Sequence, residues 1–294
     1  MKKILFSIFL TAAFSISMLA QDTITPEVKV KDKPIRPPFQ SGWMIDNQTA
    51  YVSSPKTLEL DIQHKFGKMD NGFSDLFGIY APAANIRIGF SYTPIKNLQV
   101  GYGIAKQNMY SDFSAKYVIF EQTRNNTFPV TLAAFGNIAI NGNDTTGTGM
   151  LNFYGAKRLS FYGQLIASRK FADWCVIQIN GSMSHFNAVD SLYDHDKISV
   201  GISGKFQFSP QSSILVSYDQ PLKIQSIAEH LEFHNPSKPN LTVAWEISTS
   251  THTFQIYIAS ADGFLPQQNA MYNQNDFTTG DLMFGFTITR LWSF

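Results

Sequence analysis

Polar and apolar side chains alternate along most of this sequence, and the alternating segments are joined by short and long connections in turn. An alternation of period two is the pattern of a β-strand with one apolar face. Twelve such segments follow one another from residue 57. They are Thr57–Phe66, Ala84–Thr93, Leu98–Lys106, Phe113–Thr123, Pro129–Ile140, Arg158–Arg169, Trp174–Ser184, Lys197–Phe208, Ser213–Leu222, Asn240–Thr249, Thr253–Ala261 and Gly280–Phe294.

The connections between these segments distinguish a membrane barrel from a soluble sheet. Those after even-numbered segments are short, and those after odd-numbered segments are long, with Gln107–Asp112 as the exception. Short turns at one end and long loops at the other are typical of outer-membrane barrels, and most segments match the ~9–11 residues that a tilted strand needs to cross a bilayer. The sequence therefore predicts an all-β fold, a transmembrane antiparallel up-and-down β-barrel of about twelve strands, within a range of about 10–14.

Composition agrees with that prediction. Charged residues make up 15% of the chain and aromatic residues 14%, whereas ~25% charged residues is usual in soluble domains. A lipid-facing band without charge and girdles of aromatic residues would produce this pair of values. Without residues 1–20 the chain carries 21 basic and 22 acidic residues, so we expect no nucleic-acid partner.

The first 56 residues precede the strands. Residues 1–20 combine two lysines, a short apolar run and small residues, which predicts a secretory signal peptide. Residues 21–56 contain several prolines and are predicted to form a periplasmic tail, although the sequence leaves open whether Trp43–Val52 lies at the barrel mouth. The barrel is predicted to span residues 57–294. An even strand count returns the chain to its starting side, so we expect both termini in the periplasm of a Gram-negative bacterium and the barrel in its outer membrane, surrounded by lipid.

The last strand ends the chain on an aromatic residue. Its first face carries the apolar and aromatic residues Phe284, Phe286, Ile288, Trp292 and Phe294. This arrangement resembles the closing strand of bacterial outer-membrane barrels, whose assembly machinery reads a terminal Phe preceded by alternating apolar residues. We therefore interpret these residues as an assembly signal and the barrel-assembly machinery as a partner.

Short motifs near both ends of the barrel resemble one protein family. His64–Gly67, Asp75–Gly78 with Gly72 before it, and Ala84–Gly89 resemble the opening of a Bacteroidetes family of membrane-bound β-barrel proteins, and His252–Gln255 and Phe284–Arg290 resemble its ending. The likeness runs over most of the chain. It implies an outer-membrane barrel and brings no catalytic residues with it.

Charged residues on the polar faces of the strands are the candidates for a lumen or constriction. Charge facing lipid near the bilayer midplane costs ~2–4 kcal/mol for a basic residue, so these side chains are expected to face inward. The candidates are Arg87, Lys116, Lys205, Glu246, Glu59 and Asp61. They favour two readings equally: an open pore with Arg87 at its constriction, or a closed interior in which Arg87 pairs with Glu59 or Asp61.

Motifs for enzymatic or metal chemistry are weak. Imidazoles and carboxylates crowd one loop, but their spacing fits no defined calcium loop, and we favour a solvated loop over a metal site there. The residues are His185, Asp190, Asp194, His195 and Asp196. We expect no enzymatic activity and no cofactor. The leading hypothesis is a passive channel for small solutes or ions, and the alternative is a non-conducting structural barrel whose long loops bind a partner or lipopolysaccharide.

Overall fold

A computed structural model describes residues 32–144, 153–191, 193–223 and 236–294. Fourteen strands occur in this part of the chain, and twelve of them form a closed barrel. The two short ones are β1 (Trp43–Met44) and β2 (Asn47–Gln48). The barrel strands are β3 (Thr57–Lys68), β4 (Asn85–Ile95), β5 (Leu98–Ala105), β6 (Ser111–Phe120), β7 (Thr131–Ile140), β8 (Leu159–Ala172), β9 (Cys175–Phe186), β10 (Asp196–Gln207), β11 (Ser212–Leu222), β12 (Asn240–Ser248), β13 (His252–Ala259) and β14 (Met283–Ser293).

The barrel closes through its first and last strands. Each strand pairs antiparallel with its neighbour in the chain, and β14 pairs with β3 in a register that places Ser293 opposite Thr57. Closure leaves no exposed strand edge, so every strand has a hydrogen-bonding partner on both sides. The predicted fold class and the count of twelve strands are confirmed.

The two rims of the barrel differ in their connections. The rim where β3 begins and β14 ends carries short turns such as Asp173–Trp174, and we call it the short-turn rim. The opposite, long-loop rim carries residues 69–84, 260–282 and the other long connections, together with the short 106–110. The β6–β7 connection, residues 121–130, is longer than predicted, and within it Thr123 forms an isolated bridge with Pro34.

Polarity is inverted relative to a soluble barrel. On β3, the inward residues Glu59, Asp61, Gln63 and Lys65 are each about 1% exposed. Large apolar residues face outward on the neighbouring strands, as do Val100, Tyr102 and Ile104 of β5. The surrounding medium of the barrel is therefore apolar and its interior polar, as a membrane-spanning barrel requires.

Few helices occur in the described residues. One α-helix, α1 (Pro266–Tyr272), lies in the β13–β14 connection. Four 3₁₀ turns are at Met69–Ser74, Gln107–Met109, Gly155–Arg158 and Phe277–Thr279. No helix in the described ranges has the length and apolar character to cross a bilayer.

Part of the segment before β3 lies inside the barrel. Residues 21–56 were predicted to form a periplasmic tail, with the position of Trp43–Val52 left open. Phe39, Met44, Ile45 and Ala50 are at most 4% exposed and pack against inward-facing wall residues. We call Phe39–Ala50 the lumen segment. It folds inward because its apolar side chains find inward apolar partners and its backbone finds polar ones, as described next.

Candidate functional site: the occupied lumen

The lumen segment is a tight hairpin inserted between the walls of the barrel. Its strands β1 and β2 pair through Trp43 opposite Gln48, and the tip residue Ile45 has a positive φ of 57°. A β-branched residue rarely adopts a positive φ, so the contacts around Ile45 must hold its backbone in this conformation. Ile45 and Met44 are each 1% exposed, which shows how fully the barrel encloses the tip.

Apolar residues of the inner wall receive one side of this hairpin. Phe39, Met44 and Ile45 form one cluster with Val176, Leu215, Ala244, Tyr257 and Ala259 of strands β9, β11, β12 and β13. Apolar side chains that face inward would be unfavourable in a water-filled passage, and burying such a side chain contributes about 1.5–3 kcal/mol. Their presence is explained by the segment that covers them.

Glutamine side chains of the wall satisfy the backbone of the hairpin. Gln255 accepts a hydrogen bond from Ile45 N (3.0 Å) and donates one to Trp43 O (3.0 Å). Gln178, on the wall formed by β9, donates to Gln48 O (2.7 Å) and accepts from Ala50 N (3.1 Å). Buried backbone groups require such partners, and here side chains supply the bonds that a sheet would otherwise provide.

Glu59 and Lys116 hold the base of the hairpin. Glu59 accepts from Gly42 N (2.8 Å) and from the Gln99 side chain (3.0 Å). Lys116 donates to Gly42 O (3.2 Å) and to the Gln48 side chain (3.0 Å). Two predicted lumen residues therefore bind the chain's own backbone. A third, Asp61, accepts a hydrogen bond of 2.7 Å from Thr289 of the adjacent strand.

Arg87 is paired, and its partner is not the one expected. Its Nη2 lies 2.7 Å from Asp112 Oδ2 and its Nε donates to Asp112 Oδ1 at 3.0 Å, whereas the closed-interior hypothesis had named Glu59 or Asp61. The pair spans β5, where Gly103 leaves the room: a Cβ at that position would overlap the guanidinium. The guanidinium also lies 5.1 Å from the ring centre of Trp43, so the lumen segment covers it.

Lys205 and Glu246 form a second buried pair. Their side chains are 2.7 Å apart and no more than 5% exposed. Lys205 also donates to the Gln40 side chain (2.6 Å), and Glu246 accepts from Gln255 (3.0 Å). All six predicted lumen residues thus lie inside the barrel and four of them contact the lumen segment. Their part in conduction stays a prediction.

Lys65 connects the hairpin to the long-loop rim. Its Nζ lies 2.7 Å from Asp46 Oδ1 at the hairpin tip and donates to the carbonyls of Ala261 (2.7 Å) and Gly263 (2.8 Å) in the β13–β14 connection. In the same connection α1 is buried from Pro266 to Met271, and Gln267 donates to Asn137 (2.7 Å). One ammonium therefore joins the two parts of the chain that occupy the lumen.

A small cavity separates the hairpin from α1. Its volume is about 30 Å³, and its lining includes Asp46 and Asp219 together with residues of α1. A cavity of this size has room for about one water molecule, since about 10–15 Å³ is the lower bound for one. The hairpin and α1 thus lie across the lumen with little space between them.

The other predicted sites lie at the surface of the barrel. Phe284, Phe286 and Ile288 alternate with the buried Gly285, Thr287 and Thr289 on β14, and Phe294 is 80% exposed. Near the long-loop rim His185 Nδ1 lies 2.8 Å from Asp196 Oδ1, and His195 Nδ1 lies 2.6 Å from the carbonyl of Phe186. Asp190 and Asp194 also have partners. No metal-binding group of three or more His, Cys, Asp or Glu occurs among the described residues.

Sequence reasoning missed the residues that hold the hairpin. Asp46 and Lys65 form its ion pair, and Gln178 binds its backbone. One signal was available: Trp43, Met44 and Ile45 form an apolar run in an otherwise polar N-terminal region. A buried position for that run would have been the simplest interpretation.

The fold and the lumen together define the class of protein. A closed barrel with an apolar outer face and a charged, hydrogen-bonded interior is a transmembrane β-barrel. The chain belongs to the family described as "Membrane bound beta barrel domain (DUF5777)", whose family model matches residues 39–292. The match begins at Phe39, so it includes the lumen segment as well as the strands. The Bacteroidetes origin suggested by the resemblance stays a prediction.

Solved structures of outer-membrane channels are similar in fold. The KdgM porin shares 8% sequence identity over 80% of this chain and 99% of its own, with a TM-score of 0.46. The COG4313 outer membrane channel from Pseudomonas putida F1 shares 8% identity over 82% and 97%, with a TM-score of 0.49. No curated protein matches this chain.

Proposed function

We propose that this protein is a passive outer-membrane channel for small solutes or ions, non-enzymatic, and closed at rest by its own lumen segment. The supporting observation is how the segment is attached. Side chains such as Gln178 and Gln255 bind it, and none of the barrel's strand-to-strand ladders includes it. It can therefore leave the lumen without unpairing the wall. Both termini lie in the periplasm in this proposal.

Closure dominates at rest for energetic reasons. Release of the hairpin exposes Phe39, Met44 and Ile45 to water, and each costs about 1.5–3 kcal/mol. It also separates Asp46 from Lys65 and leaves Lys116 without its partners Gly42 and Gln48. Openings are therefore rare in the native protein. The passage they create is lined by charges of both signs, which gives weak ion selectivity.

Single-channel recording in planar bilayers tests this proposal. The variant Gln178→Ala/Gln255→Ala removes four hydrogen bonds to the hairpin backbone, so it is expected to raise the open probability at least about tenfold, because each such bond contributes ~1 kcal/mol. Gln207→Ala is the matched control, since Gln207 donates only to carbonyls of its own turn, Ser209 and Pro210. Wild type and control should show the same rare openings.

A non-conducting barrel is the second candidate, and Lys65 is the observation that favours it. Its Nζ ties the hairpin tip to the β13–β14 connection, which would suit a permanently filled interior with loops that bind a partner or lipopolysaccharide. If the folded double variant and the wild type both conduct nothing at any applied voltage, the channel is refuted and this candidate stands.

A further inference from the structure

A groove at the short-turn rim is rich in basic side chains. It has a volume of about 560 Å³ and lies between the stretch before the lumen segment, the β6–β7 connection and the end of β8. Its basic residues are Arg36, Arg124, Arg169 and Lys170. Asp173 is the carboxylate in its lining and pairs with Lys170 at 2.7 Å, so the arginines give the groove a net positive charge.

Backbone pairing brings these side chains together. Ile35 N donates to Gln122 O (2.9 Å), Arg124 N donates to Lys33 O (3.0 Å), and Pro34 bridges to Thr123. The short N-terminal stretch is thereby fixed along the β6–β7 connection, which sets Arg36 and Arg124 at the same rim as the end of β8. The cluster is therefore a fixed feature of the fold and does not depend on mobile side chains alone.

Arg169 places the groove at the boundary between lipid and water. It lies on the outward face of β8, with its guanidinium 5.3 Å from the ring centre of Phe171. Phe171 and Trp174 are 63% and 60% exposed, as expected of an aromatic girdle at a membrane interface. Arg169 Nε has no hydrogen-bond partner among the described residues.

The outer wall above the groove is suited to acyl chains. Leu165 and Ile179 are 59% and 57% exposed on the outward faces of β8 and β9, and the small residue Ala167 lies opposite Ile179. Basic residues below and exposed apolar residues above match the two ends of a phospholipid, because anionic headgroups are attracted to interfacial Lys and Arg.

We propose that this groove binds the phosphodiester of an anionic glycerophospholipid in the membrane leaflet at the short-turn rim. Arg36, Arg124 and Arg169 receive the phosphate, and the chains lie along β8 and β9. The site is independent of conduction, since a barrel that never opens would bind the same lipid.

Native mass spectrometry of the detergent-purified protein tests the site. With phosphatidylglycerol and phosphatidylcholine offered in equal amounts, the wild type should retain one phosphatidylglycerol in preference. Arg36→Gln/Arg124→Gln/Arg169→Gln should lose at least about tenfold of that retention, because it removes the positive charges that attract the anionic headgroup. Arg290→Gln is the matched control: Arg290 is also exposed beside an aromatic ring, with Trp292 at 5.0 Å, but lies outside the groove.

Three outcomes would overturn the proposal. The first is equal retention of the two lipids by the wild type. The second is unchanged retention by the triple variant, checked as folded by its heat-modifiable migration on gels. The third is displacement of phosphatidylglycerol by inorganic phosphate at an ionic strength matched with chloride, which would assign the groove to a soluble phosphate instead.

Discussion

Buried ion pairs are the residue-scale feature with the clearest energetic consequence. Arg87→Ala leaves Asp112 buried without its cation, and breaking a buried pair in this way typically costs ~3–5 kcal/mol. We expect a lower midpoint of thermal unfolding, followed by loss of heat-modifiable migration. Lys96→Ala is the control, because Lys96 is 66% exposed in its pair with Glu121 and surface pairs contribute ~0–1 kcal/mol. Equal midpoints for Arg87→Ala and Lys96→Ala would show that Arg87 is not paired inside the barrel.

Partners of single residues were the hardest feature to predict from the sequence. Arg87 was correctly predicted to face inward because period two fixes its face, but not to pair with Asp112, which lies on β6 rather than on the neighbouring β3. Which side chains meet across a barrel depends on strand tilt and stagger, and these follow from closure of the whole sheet. A local pattern does not contain that information.

The closing strand carries the first prediction at the scale of elements. Phe294 is 80% exposed and ends the outward face that includes Phe284 and Phe286. If that face is read by the assembly machinery, Phe294→Asp should reduce the amount of folded barrel in the outer membrane several-fold. Leu291→Asp is the control for Phe294→Asp, because Leu291 is not part of the predicted assembly signal. An unchanged yield for Phe294→Asp would contradict the assembly signal.

The second prediction at the scale of elements concerns the acidic residues of the β13–β14 connection. Hydrogen bonds from Thr278 and the nearby Lys238 lower the pKa of Asp276, and a hydrogen bond from the Asp276 backbone with the nearby Lys68 lowers that of Asp281. A carboxylate with a lowered folded-state pKa stabilises the folded loop above its unfolded pKa, and that contribution is lost as pH falls through the folded value. Proteolysis between Asn275 and Asp281 should therefore accelerate as pH falls below about 4.

Two variants separate this effect from general acid unfolding. The Asp276→Asn variant should be cleaved at neutral pH as fast as the wild type is cleaved in acid, and its cleavage rate should vary less with pH. Asp262→Asn provides the comparison, since Asp262 lies in the same connection and outside both ion pairs. A wild-type cleavage rate that is constant down to pH 3 would refute the pairs' role in holding the loop.

The positions of the strands could be predicted from the sequence, and the position of the lumen segment could not. The starts of β3 and β5, Thr57 and Leu98, lie where alternation placed them, because a strand's two faces are a local property. Whether Phe39–Ala50 lies inside or outside depends on contacts with Gln178 and Gln255, more than 100 residues away. The apolar run at Trp43–Ile45 indicated burial without indicating where.

Orientation in the membrane is a property of the whole molecule. The short-turn rim should face the periplasm and the long-loop rim the exterior, since outer-membrane barrels have short periplasmic turns. Single cysteines at Ser74 and Thr127, in a Cys175→Ser background, lie on the long-loop and short-turn rims respectively. A membrane-impermeant thiol reagent on intact cells should label the first and spare the second. Labelling of Thr127→Cys without labelling of Ser74→Cys would show that the barrel has the opposite orientation.

Occupation of the lumen by the chain's own N-terminal segment is the central claim, and hydrogen exchange measures it most directly. The amides of Gly42, Ile45 and Ala50 donate to Glu59, Gln255 and Gln178 inside the barrel. In the folded protein a peptide covering residues 41–50 should therefore exchange far more slowly than in the heat-unfolded protein, at a rate comparable to the β3 peptide. Exchange of 41–50 at the unfolded rate, with β3 still protected, would contradict a segment held inside the barrel.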